Sequence, residues 1–107
     1  MSIDRKLKSH VSARKYLERK VGPLTLGAAL KSERLSREMT LTEFAYILGT
    51  SVQQLSDIEK GRRFVSAEKA AEFAKRIGDS AALFIELSLQ DSMKRSGLRY
   101  RVRVEAA

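Results

Sequence analysis

The sequence predicts an all-α domain of five helices with a C-terminal β-strand and a basic N-terminal arm. Three observations predict it. From Leu26 to Met93 apolar residues recur at spacings of three and four, the period of a helix with one buried face. Helical segments open on Thr25, Thr40, Ser51 and Ser66 and stop at Gly49, Gly61 and Gly78, which are N-cap and C-cap residue types. Only from Leu98 to Val104 does the period change to two.

Residues 1–24 form the arm. Residues 1–12 are polar and basic, and Ser12 caps a short helix from about Ala13 to Lys20 that ends at Val21-Gly22-Pro23. Residues 25–79 form the main domain. Thr25 caps a helix from Leu26 to about Glu38, with Leu26, Ala29, Leu30 and Leu35 near one face. Thr40-Leu41-Thr42-Glu43 is a capping box: the hydroxyl accepts the amide three residues on and the carboxylate reaches back. Phe44, Ala45, Ile47 and Leu48 follow, and Gly49 stops the helix. Ser51-Val52-Gln53-Gln54 offers a second capping box, Leu55 and Ile58 face inward, and Gly61 ends that helix. Ser66 caps the next, with Ala70, Phe73, Ala74 and Ile77 on one face. The helices around Gly49-Thr50-Ser51 are short and tightly joined, the spacing of a helix-turn-helix, and Ala45 is small enough to let them cross closely.

Residues 80–107 follow. A helix from about Ala81 to Arg95 has two apolar arcs, one of Ala81, Ala82, Ile85, Leu89 and Met93, the other of Leu83, Phe84 and Leu87. One arc seats it on its own domain; the second fits a partner surface, most simply another copy of the chain, or a helix enclosed by its own domain. Leu98, Tyr100, Val102 and Val104 alternate with Arg99, Arg101 and Arg103, as in a strand. A lone strand leaves its backbone unpaired, so it is expected to pair across a dimer or with a partner protein; the alternative is a disordered tail.

The 107 residues suffice for one small core, and 43% are hydrophobic and 32% charged. No apolar run is long enough for a membrane span, and the charged N-terminus is unlike a secretory signal. There is no cysteine, hence no disulfide framework or thiolate metal site, and a cytoplasmic location is expected. The net charge of +8 is uneven. Residues 1–24 hold seven Lys/Arg against two acids, residues 25–79 nine against eight, and residues 80–107 five against three. A basic excess favours polyanions, nucleic acid first and acidic protein surfaces second; basic tails that only keep the chain soluble are the plainer reading. Catalytic groups are poorly supplied. His10 stands alone in the arm, the serines have no evident base, and the glycines form no phosphate-cradling loop. A non-enzyme without cofactor or metal is expected.

Residues 26–78 resemble the phage-repressor helix-turn-helix family, the Cro-like or XRE proteins with a lambda-repressor-like domain. The resemblance rests on Arg34, Thr40, Glu43, Phe44-Ala45, Leu48-Gly49, Ser51, Leu55, Ile58-Glu59 and Gly61. It implies that the helix after Ser51 lies in the major groove of double-stranded DNA. Val52, Gln53 and Asp57 would then face bases, while Ser51, Gln54, Lys60, Arg62 and Thr40 would hold the backbone. Gln53 suits adenine N6/N7 and Val52 a thymine methyl. Leu41 stands where the family usually has a phosphate-clamping Gln, so that contact is lost. Asp57 would accept from cytosine N4, be neutralised by Arg62 or Arg63, or face solvent. The resemblance also implies an Arg34–Glu59 ion pair that fixes registry and lies outside the binding site.

The function expected is a sequence-specific repressor acting as a homodimer on an inverted repeat. The basic N-terminal extension and C-terminal segment resemble HigA-type antitoxins of bacterial toxin–antitoxin operons, which implies a toxin as a further partner; a freestanding or phage-derived regulator fits as well. The alternative is a protein-interaction module on a helix-turn-helix scaffold. Salt-dependent, sequence-selective DNA binding separates the two.

Overall fold

The computed structural model describes residues 24–107. The expected arm, its helix over 13–20 and His10 lie outside the described residues. Within them run five helices, α1 Leu26–Ser36, α2 Leu41–Leu48, α3 Val52–Glu59, α4 Ala67–Ile77 and α5 Ala81–Arg95. Each is preceded by a hydroxyl residue in extended conformation: Thr25, Thr40, Ser51, Ser66 and Ser80 accept the amides of Ala28, Glu43, Gln54, Lys69 and Leu83. Such caps contribute about 1 kcal/mol apiece, which matters for helices of two to four turns.

The Thr40 box is complete, with the Thr40 amide donating to Glu43 Oε1 at 2.8 Å and the Glu43 amide to Thr40 Oγ1 at 3.1 Å. The second expected box is only half formed. Ser51 accepts the Gln54 amide at 3.0 Å, but the Gln54 side chain accepts from the Thr50 hydroxyl instead of reaching back.

α1 is shorter than its sequence suggests. It ends at Ser36, and Glu38 takes a left-handed φ of 54°. Arg34 explains the stop: its carbonyl accepts the Met39 amide at 3.1 Å and its guanidinium donates to the Met39 carbonyl at 3.2 Å, closing the chain into a turn. The inward line of α1 is Leu26, Leu30 and Arg34, each four residues on. Leu35 lies off that line and is 55% exposed, contrary to expectation.

The core is one cluster in which Leu30, Phe44, Leu48, Leu55, Phe73 and Phe84 are almost fully buried. α4 and α5 form the most extensive helix pair, α2 packs on α3 and α4, and α1 on α3 and α5. At the α1–α3 crossing a Cβ on Gly27 would overlap the Ile58 carbonyl, so only glycine allows this approach. Polar bonds fasten α5 from both sides. The buried Ser88 hydroxyl donates to the Val65 carbonyl at 2.7 Å, and Asp91 Oδ2 accepts the Leu26 amide at 3.2 Å.

Of the two arcs on α5, Phe84 and Leu87 are buried with Leu83 packed beside them, while Ala82, Ile85 and Met93 are half-buried and Leu89 is 38% exposed. The expected C-terminal strand is absent: the described residues contain no strand, and 98–104 have no backbone ladder. The segment turns back along α5 and is gripped by side chains. Gln90 Nε2 donates to the Tyr100 carbonyl at 2.7 Å, while the Val102 and Val104 amides donate to Gln90 Oε1 at 2.8 Å and Glu86 Oε1 at 3.1 Å. The period of two therefore did not signal a strand: helix side chains, not another strand, take up the Tyr100 carbonyl and the Val102 and Val104 amides.

Candidate nucleic-acid interface

The α2–turn–α3 unit is built by its turn. Gly49 takes φ 75° and ψ 32°, and the Thr50 amide returns to the Ala45 carbonyl at 3.0 Å. Buried Ala45 and Leu48 on one side and Leu55 and Ile58 on the other fix how the two helices cross. α3 therefore turns Leu55 and Ile58 inward and leaves Ser51, Val52, Gln53 and Gln54 exposed along its leading edge. Val52 is 41% exposed despite being apolar.

That edge carries hydrogen-bonding capacity. The first amides of a helix have no intrahelical partner, and α3 has no acid in its first turn to occupy them. Ser51 uses its oxygen as an acceptor, so its hydroxyl proton remains to be donated; the same holds for Thr40. Gln54 holds Thr50 with its carbonyl oxygen and keeps its amino group. Lys60 and Arg62 are exposed beyond the other end of α3, where Arg62 is tied through its amide to the Asp57 carbonyl at 2.8 Å.

Asp57 is half-buried, and its Oδ1 accepts from Gln53 Nε2 at 3.1 Å. Among the described residues no arginine forms an ion pair with it, so the expected neutralisation by Arg62 or Arg63 is not made in the free protein. One proton of the Gln53 amino group is thus engaged, which leaves the second proton and the side-chain carbonyl oxygen as a donor and an acceptor. That donor–acceptor edge is the one a bidentate contact with adenine requires.

Behind the edge, Arg34 and Glu59 form the expected pair. Nε and the second terminal nitrogen of Arg34 donate to the two Glu59 oxygens at 2.8 and 3.0 Å. The side chains are 13% and 7% exposed, and the hydrogen bond to Glu59 is the largest influence raising the Arg34 pKa. The pair locks the end of α3 to α1 and does not reach the exposed edge. Leu41, where a phosphate-clamping residue was missing, is packed against the core.

The sequence reading missed two supports. Arg76 of α4 lies over the turn, its guanidinium carbon 3.1 Å from where a Gly49 Cβ would stand. Phe64, beyond Arg62, is 39% exposed with the Arg95 guanidinium 5.4 Å from its ring centroid. Neither follows a spacing rule, since both join residues more than twenty positions apart.

A family model described as a helix-turn-helix domain matches residues 25–84, more than half of the 107. Comparison with curated proteins and with solved structures gives no match.

Proposed function

The chain belongs to the helix-turn-helix domain family, and from that premise we propose a sequence-specific DNA-binding repressor that acts as a homodimer on an inverted repeat. The leading edge of α3 carries this reading: Val52 and Gln53 stand outward beside unpaired helix amides, with the Thr40 and Ser51 hydroxyls and Gln54 placed for phosphates. Gln53 reads adenine with Asp57 behind it, Val52 contacts a thymine methyl, and Lys60 and Arg62 hold the backbone. Two-fold symmetry would set the paired α3 helices about 34 Å apart, one turn of duplex. The protein is a non-enzyme of the cytoplasm, with no cofactor; in the described residues no helix is long and apolar enough to cross a membrane.

Within the wider class the residues quoted for the Cro-like, XRE resemblance support membership of that group. The basic extension and C-terminal segment support a HigA-type antitoxin whose second partner is a toxin. The half-exposed apolar stripe on α5 favours, as a second reading, a module that binds a partner protein and uses the helix-turn-helix as scaffold.

Binding to the gene's own upstream region, measured at two salt concentrations against scrambled duplex, tests the proposal. Gln53→Ala should weaken binding to the preferred duplex by about 1–3 kcal/mol. Equal affinity of the unmodified protein for both duplexes would exclude specific readout.

A further inference from the structure

We propose that the cleft between the loop after α3 and the C-terminal end of α5 holds the DNA backbone flanking the base-reading site. The inference rests on the DNA-binding reading and extends it to a surface on which no base is read.

Two adjoining grooves make the cleft. One, of about 310 Å³, runs from Gly61, Arg63 and Phe64 to Asp91, Lys94 and Arg95. The other, of about 430 Å³, continues past Lys94 to Arg99, Tyr100 and Arg101 and has Leu24 on its rim. Together they present the cations of Arg63, Lys94, Arg95, Arg99 and Arg101 against one carboxylate, Asp91. None of these five forms an ion pair among the described residues. Asp91 already accepts the Leu26 amide, and burial raises its pKa against the lowering influence of that bond, Lys94 and Arg95. As the single carboxylate of the lining it offsets at most one of the five cations.

The occupant is argued from charge and continuity. The cleft begins at Gly61 and Arg63, in the loop that follows the C-terminal end of the helix proposed to read bases. The described residues span 39 × 34 × 30 Å, so cleft and α3 fall within little more than one duplex turn, about 34 Å. Arg95 is held against Phe64 and keeps its edge donors for phosphate oxygens with less side-chain freedom to lose. Leu24, the first described residue, stands on the same rim. An acidic protein would match the charge but has no reason to follow on from α3.

The test uses the full chain carrying Lys94→Ala, Arg99→Ala and Arg101→Ala together; Arg95 is kept because it packs on Phe64. The probe is the duplex that unmodified protein selects from a randomised pool, with long and with trimmed flanks. On the long duplex the plot of log affinity against log salt should become shallower by about 2–3 units, near 0.9 per lost phosphate contact. Base preference and thermal midpoint should stay unchanged, and trimming the flanks should reproduce the loss in unmodified protein. An unchanged slope in the triple variant overturns the proposal, including when an acidic protein is what the cleft binds. Failure of the unmodified protein to select any sequence defeats the DNA-binding reading instead.

Discussion

Arg34 and Glu59 show how much one pair of side chains decides. Each is largely buried, so the pair owes its value to mutual satisfaction more than to net attraction. Glu59→Ala strands a guanidinium and should cost on the order of 3 kcal/mol in urea unfolding, whereas replacing both with Met should cost much less. Gly27 offers the opposite case. Alanine favours a helix by about 1 kcal/mol over glycine, yet a methyl here meets the Ile58 carbonyl. Gly27→Ala should therefore lower the urea midpoint, and a rise would show that α1 and α3 yield easily. The ion pair was legible from a family resemblance, while the crossing at Gly27 was not: no local pattern distinguishes it from any glycine near a helix start. Asp57 was legible as a puzzle only, and its bond to Gln53 makes it a brace for that side-chain amide.

Helices were the legible elements because caps and periodicity are local. All five appear where Thr25, Thr40, Ser51, Ser66 and the apolar stripe of 81–95 placed them. What went astray depended on distant partners: the end of α1 on Met39, the second capping box on Thr50, and the tail on Gln90 and Glu86. The joint between α4 and α5 has a further property. Asp79 has its pKa raised from 3.8 to about 6, by burial first and then by a hydrogen bond and like charge from Glu33, with Arg37 opposing. A carboxyl whose folded pKa is raised holds its proton more tightly when folded, so this group lowers stability as pH rises from about 4 to about 6. Asp79→Asn should accordingly melt higher than the unmodified protein at pH 7, with the gap closing toward pH 4. A constant gap across that window would show that the effect is packing and not titration.

For the whole molecule, charge and apolar surface divide the labour. In the proposed dimer the seam would be the stripe of Ile85, Leu89 and Met93, on the side of α5 away from Phe84 and half-buried to exposed in the single chain. Leu89→Lys should shift sedimentation at micromolar concentration toward the monomer and weaken binding to a two-site duplex more than to a half-site. A dimer that survives this change unaltered would place the seam elsewhere. Lys94, Arg99 and Arg101 line the cleft instead, so the two surfaces can be altered separately. The tail that carries two of these arginines is moored through its main chain at positions 100, 102 and 104. A mooring that recognises peptide groups at 100, 102 and 104 does not depend on the side chains at 99 and 101. Positions 99 and 101 can therefore be rewritten, by evolution or by design, while the strip that displays them stays where α5 holds it.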